Sequence, residues 1–224
     1  MITIKNLYKN YKKIEALRGL SVTIPKGSVY GLLGPNGSGK TTTLGLITKI
    51  LKPDTGSITI LGKDIKEYYT VSDKIGALLQ DTDLYVHRTV YDNLKYFAKL
   101  DHVSEGRVNE VLQMVKMESK KDAKYGTLSH GQKKLIQFCQ AMLKDPELLI
   151  LDEPTAGFDP KNILLMTNII SSFKGKTILL TSNHLDIVKK VCSHVAIINN
   201  GKIGYEGKIN SKANLEKLYM KIVK

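Results

Sequence analysis

The stretch Gly34-Pro35-Asn36-Gly37-Ser38-Gly39-Lys40-Thr41 constrains this chain more than any other part of it. It fills every fixed position of the phosphate-loop pattern, in which glycines let backbone N–H groups turn inward around a phosphate. The flanks fit the same mechanism. Ser28 to Leu33 reads as a short buried strand, and Lys40 to about Ile50 as a helix whose amino end adds partial positive charge. Strand, Gly-rich loop and helix in that order open an α/β protein with a largely parallel, covered sheet. Lys40 is expected on the β and γ oxygens of a nucleoside triphosphate, and the Thr41 hydroxyl on Mg²⁺. The loop by itself leaves kinases, GTPases and motor ATPases equally open.

Further strand-like runs follow at Ser57 to Leu61, Ile75 to Leu79, Leu148 to Leu151, Thr177 to Thr181 and Val195 to Ile198. Between Leu84 and Lys144 the texture is helical instead. Val90, Leu94, Phe97 and Ala98 share one face, and Val108, Val111, Leu112 and Val115 another. The expectation is one core in one domain over residues 1–224, interrupted once by a helical portion at about 84–145. Asn199-Asn200-Gly201 reads as a hairpin turn leading into Lys202 to Tyr205, since both of its central positions need positive φ. A terminal helix within Lys212 to Lys224 carries Leu215, Leu218, Tyr219 and Ile222 on one face and is expected to pack that stripe on its own domain.

Leu148-Leu149-Ile150-Leu151-Asp152-Glu153 ends a buried strand in two carboxylates, which would reach the carboxyl edge of the sheet beside the phosphate loop. There Asp152 would hold the Mg²⁺ shell, and Glu153 would orient or deprotonate the attacking water. Composition narrows the setting. The 34 Lys and Arg outnumber the 21 Asp and Glu, a formal charge of +13 that favours an anionic partner. No apolar run approaches the roughly 20 residues of a membrane-spanning helix. MITIKNLYKNYKK lacks an apolar signal region, and the two cysteines, Cys139 and Cys192, form no paired motif, which points to inert core thiols in a reducing, cytosolic compartment.

Leu128-Ser129-His130-Gly131-Gln132, just ahead of Asp152-Glu153, resembles the signature motif of ABC-type ATPases. Gln80, Ala156-Gly157-Phe158-Asp159 and His184 match the family's Q-loop, D-loop and H-loop in order, and Tyr11 stands where the family places an adenine-stacking aromatic, with Tyr8 the competing candidate. The resemblance covers essentially the whole chain. It implies a P-loop NTPase core with a mostly parallel sheet, an N-terminal antiparallel β-subdomain and an inserted α-helical subdomain. It also implies ATP and Mg²⁺ as cofactors, with ATP contacts at Tyr11, Gly34 through Thr42, Ser129, Gly131, Gln132 and Asp159. Glu153, His184 and Gln80 take the catalytic roles, and Thr41, Gln80 and Asp152 those toward the metal.

In the family two cassettes pair head to tail, so that the signature of one closes on the γ-phosphate held by the other. The implied partners are a second cassette, identical or not, and integral membrane permease subunits, with the chain peripheral on the cytoplasmic face of the cell membrane. Leu17-Arg18-Gly19-Leu20-Ser21 and Lys52-Pro53-Asp54-Thr55-Gly56 resemble export-type cassettes for drugs, antimicrobial peptides or lipids. The alternative is a non-transport ABC ATPase acting on nucleic acid or ribosomes. A single cassette without sustained heptads argues against it, and no nucleic-acid partner is expected. His130 departs from the family, which usually has Gly there; hydrolysis is expected to survive, with His130 either adding a pH-dependent contact near the phosphate or, the preferred reading, facing solvent.

Overall fold

The structure is a computed structural model describing residues 1–80, 82–209 and 214–223. Strands β1 (Ile2–Tyr11) and β2 (Ile14–Ile24) form a long hairpin, with Ile2, Ile4 and Leu7 buried opposite Leu20, Val22 and Ile24. β4 (Thr55–Ile60) pairs antiparallel with β1, and the short β5 (Lys63–Asp64) with β4, giving the order β2-β1-β4-β5. Of these strands, the residue pattern alone reveals only the one at Ser57 to Leu61. β1 escapes it because Asn6 takes a positive φ and the register shifts between Ile4 and Leu7, which breaks the period-two alternation.

The second sheet comprises β3 (Val29–Leu33), β6 (Ile75–Leu78), β7 (Leu148–Leu151), β8 (Thr177–Ser182), β9 (His194–Asn199) and β10 (Lys202–Lys208), in the order β10-β9-β3-β8-β7-β6. All neighbours are parallel except β10, which returns antiparallel through Asn200 and Gly201, both at positive φ as the turn requires. The expected single core is two. Successive strand residues point to opposite faces, so Leu148 and Ile150 pack toward the antiparallel sheet while Leu149 and Leu151 pack among the helices.

Helix α1 (Lys40–Ile47) stops short of Ile50, because Lys49 turns left-handed at φ 59°. Helices α2 (Val90–Leu100), α3 (Gly106–Met114) and α4 (His130–Met142) pack on one another, burying both apolar faces read from the sequence. α4 begins at His130, with Ser129 as its cap. Helices α5 (Pro160–Ser172) and α6 (Leu185–Val191) complete the connections, and α7 (Leu215–Ile222) rests on β9 and β10, with Leu215 buried and the Ile222 carbonyl accepting from Asn199 Nδ2 at 2.7 Å. Lys212 and Lys224 of the expected terminal helix lie outside the described residues. Both cysteines are buried and free, and burial pushes both thiols up, which keeps them protonated. No helix among the described residues is long and apolar enough to cross a membrane.

Candidate active site

Sheet order creates the site. β8 lies between β3 and β7, pairing Ser182 with Leu33 and Leu180 with Leu151, so the loops leaving all three strands emerge side by side. Those loops are the phosphate loop, the turn at Asp152-Glu153, and the segment running to His184. The phosphate loop is tied down on both flanks: Gly34 N–H donates to the Ser182 carbonyl (3.2 Å), and Gly201 N–H to the Ser38 carbonyl (2.9 Å). A side chain at Gly34 would come within 2.3 Å of the Ile198 carbonyl, so only glycine fits against β9.

Lys40 is 95% buried, an expensive place for a charge unless it is well partnered. Its ammonium donates to the carbonyls of Gly34 (2.8 Å) and Pro35 (3.1 Å) and lies 3.4 Å from Glu153 Oε1. The Thr41 hydroxyl donates to Asp152 Oδ2 at 2.9 Å, and the Thr181 hydroxyl to Asp152 Oδ1. Thr181 Oγ1 in turn accepts from the Glu153 N–H at 2.9 Å. Thus Lys40, Thr41, Asp152 and Glu153 are brought together as the sequence leads one to expect. Glu153 holds φ at 45°, a left-handed conformation that costs a non-glycine residue on the order of 1 kcal/mol. Beside this cluster a 290 Å³ cavity runs from Gly37, Gly39, Thr41 and Thr42 to Ile14 and Arg18 of β2.

The residues fit the groups that a phosphate loop implies. The Ser38 hydroxyl is buried without a hydrogen-bond partner inside the loop, a donor suited to a phosphate oxygen. Thr41 and Asp152 present hard oxygens suited to Mg²⁺, and among the described residues no cluster of three acidic, His or Cys side chains forms a protein-only metal cage. One carboxylate plus a hydroxyl, completed by phosphate and water, is how Mg²⁺ is usually held.

The signature stretch lies apart from this loop. Ser129 Oγ accepts from Gln132 N–H (3.3 Å) while Gln132 Oε1 accepts from Ser129 N–H (3.1 Å), a reciprocal cap that starts α4. Ser129 and Gln132 make no hydrogen bond with residues 34–42 among the described residues, and Ser129 is exposed. The Asp159 carboxylate caps α5, accepting from Asn162 N–H at 2.8 Å. His184 is exposed at the end of the β8 loop, its N–H donating to Ser182 Oγ at 2.9 Å. Gln80 is exposed and borders a 530 Å³ cleft with Thr82, His130, Lys134 and Ala156; no hydrogen bond among the described residues joins it to Thr41 or Asp152. Tyr11 is also exposed and does not line the 290 Å³ cavity, although its hairpin partner Ile14 does.

Sequence reading missed several parts of the site. Lys134 sits on the buried stripe of α4 with Gly131, Leu135 and Phe138, 7% exposed, and its ammonium donates to the carbonyls of Glu153 (2.8 Å) and Ala156 (3.3 Å). A lysine at an i, i+3, i+4 position otherwise held by small and apolar residues is the signal that marks it. Thr181, polar in a fully buried strand, is marked in the same way. His130 is exposed, yet its ring lies over Gly157, where a side chain would come within 2.7 Å of its Cδ2; it therefore does not simply face solvent.

A family model for the ABC transporter matches residues 17–156. The Nod factor export ATP-binding protein I of Burkholderia lata is 35% identical over 213 residues, covering 92% of this chain and 70% of that protein. The lantibiotic transport ATP-binding protein of Streptococcus pyogenes is 35% identical over 223 residues, covering 98% and 96% respectively. A solved ATP-binding subunit of an ABC transporter superposes over the full length of both chains with a TM-score of 0.89 at 25% identity.

Proposed function

The chain belongs to the ABC transporter family as an ATP-binding, ATP-hydrolysing subunit, and from that premise we propose that two cassettes close head to tail on ATP to drive export through separate membrane permeases. The observation that carries this reading is a division within the chain. Lys40, Thr41, Asp152 and Glu153 form one cluster, while the capped start of α4 at Ser129 stands exposed elsewhere. Two helix amino ends for anions in one cassette make sense if the second serves the nucleotide of a partner copy. The export direction rests on the Nod factor export and lantibiotic transport relatives. The chain would sit peripherally on the cytoplasmic face of the membrane, docking through the surface around Tyr85, Val86 and Tyr96 beyond Gln80, where the exposed Tyr85 and the half-buried Tyr96 flank the Arg88 guanidinium.

In this reading Lys40 leaves the Gly34 and Pro35 carbonyls for the oxygens of the β- and γ-phosphates. The Glu153 carboxylate, parted from the ammonium that lay 3.4 Å away, is then free to accept a proton from water. Thr41 and Asp152 would hold Mg²⁺, with Gln80 at the margin of the site, and the ion would supply charge neutralisation to the triphosphate. Glu153 takes a proton from water as the water oxygen bonds to the γ-phosphorus, and the bond from that phosphorus to the bridging oxygen breaks, giving ADP and phosphate. His184 orients this water from the β8 side. Across the dimer, Ser129, the Gly131 N–H and Gln132 grip the γ-phosphate, and Asp159 borders the shared pocket.

The test is Glu153→Gln. With Mg²⁺ and ATP it should bind nucleotide, lose about 10²–10⁴-fold in kcat, and elute as a stable dimer with two trapped ATP. A variant that turns over at the wild-type rate removes Glu153 from the role of base, and one that stays monomeric at saturating ATP removes the head-to-tail closure.

A further inference from the structure

We propose that Lys134 is a positioning residue for hydrolysis: it fixes the backbone turn from which the Glu153 carboxylate projects, using α4 as its anchor. This rests on the reading of Glu153 given above and adds a residue to it. The turn needs holding because Glu153 is left-handed at φ 45° and Gly157 at φ 76°, so the chain doubles back immediately after β7. Three kinds of hydrogen bond hold its backbone at Glu153 and Ala156. The Glu153 N–H is held by Thr181 Oγ1 at 2.9 Å. The Glu153 carbonyl accepts from the Ala156 N–H at 3.1 Å within the turn itself. The same carbonyl and that of Ala156 accept from the Lys134 ammonium, at 2.8 and 3.3 Å, which ties the backbone of the turn to α4.

Glu153 is therefore gripped at both ends by buried lysines. Lys40 faces its carboxylate at 3.4 Å, and Lys134 holds its carbonyl. Lys134 is an unusual choice for a helix stripe shared with Gly131, Leu135 and Phe138, since its partners are neutral carbonyls that compensate a buried cation incompletely. Burial lowers its pKa accordingly, while the nearby Glu153 and Asp152 carboxylates act in the opposite direction. A methionine at this place would fill the same stem volume without that cost, so what the ammonium adds is its bonds to the turn. The surrounding packing is independent of it: Phe158 lies against Gly131, and the His130 ring over Gly157. Those contacts keep α4 docked when the ammonium is removed.

The experiment compares Lys134→Met and Lys134→Arg in the full chain, measuring kcat per nucleotide-binding site counted by stoichiometric ATP binding, and KM for ATP. The methionine variant should lose about ten- to a hundredfold in kcat per site, with KM within about threefold of the wild type. The arginine variant, which keeps charge and donors, should recover most of that loss. A purely structural role would lower the number of binding sites and leave kcat per site unchanged. A methionine variant within about twofold of the wild-type kcat per site, or an arginine variant as slow as it, overturns the proposal. Should the methionine variant yield no binding sites, Lys134→Gln, which keeps one donor, is held to the same criteria, and failure of that variant to bind would likewise make Lys134 a stability residue. Glu153→Gln run in parallel separates the two readings. Its full activity would remove Glu153 as base, whereas an inactive Glu153→Gln beside an active Lys134→Met removes only the positioning role.

Discussion

The phosphate loop and the first turn of α4 both lie at helix amino ends, but their surroundings differ. Around the phosphate loop the chain closes on itself: β8 and the β9–β10 turn bond to its backbone, Lys40 is buried, and Asp152 meets Thr41. Around Ser129 the side-chain contact among the described residues is the cap with Gln132, on an exposed surface, and the inner side of the helix start is taken up by the turn after Glu153. A ligand can thus be bound by the first region within one chain, while the second is a surface that needs something brought to it. The contrast teaches that binding and turnover should separate on mutation: damage to the loop should abolish both, and damage to the cap only the second.

Lys40→Ala should give the largest effect on binding. Truncating one partner of a desolvated charged contact costs about 2–5 kcal/mol, so the ATP dissociation constant should rise about 30-fold or more, as read by titration calorimetry on the folded protein. The change also leaves the partly buried Glu153 beside the loop without its 3.4 Å partner. Normal ATP affinity in this variant would mean that the loop is not the phosphate site, and the comparison would lose its first half. Ser129→Arg sharpens the second half. The arginine cannot cap α4 through a short hydroxyl, which costs about 1 kcal/mol of stability, and its bulk projects from the exposed start of the helix. Turnover and ATP-dependent dimerisation should be lost, with the ATP affinity of the single chain unchanged within about twofold. Light scattering with Mg²⁺ and ATP reads the first outcome and calorimetry the second; equal damage to both would mean that the two regions act on one nucleotide within one chain.

The same contrast explains what was legible in the sequence. The phosphate loop, the acids after β7 and the parallel strands could be read because each is local: a run of eight residues, or an apolar stretch ending in two carboxylates. The β1–β2 hairpin was hidden by its own bulge at Asn6. The split of the core into two clusters could not be read from hydrophobicity alone, since strands apolar on both faces do not say what covers each face. Lys134, Thr181 and the packing of His130 on Gly157 were invisible for a related reason: each joins segments 19 to 29 residues apart through contacts that no spacing rule describes.

The smallest effect is expected at the rim of the first region. Tyr11 ends β1 in a position fixed by Asp54, whose carboxylate accepts from Asn10 N–H at 2.6 Å and from the Lys9 ammonium at 2.9 Å; the same two contacts hold the Asp54 pKa below the ordinary carboxylate value. The Lys9 ammonium also lies 5.7 Å from the centre of the Tyr11 ring. An aromatic so placed, exposed and one residue pair from the mouth of the 290 Å³ cavity, offers a face on which adenine can stack. Base–aromatic stacking is worth about 1–3 kcal/mol, and a ring open to water on its other side belongs at the lower end of that range. Tyr11→Ala should therefore raise the ATP dissociation constant about fivefold and leave kcat at saturation unchanged. Tyr8 competes for the role, but its hydroxyl lies against Gly19, where a side chain would meet it at 2.8 Å, so its ring is committed to the hairpin. Tyr8→Ala should leave nucleotide affinity untouched; the reverse pattern, loss at Tyr8 and none at Tyr11, would move the adenine to the other tyrosine and redraw the rim of the closed region.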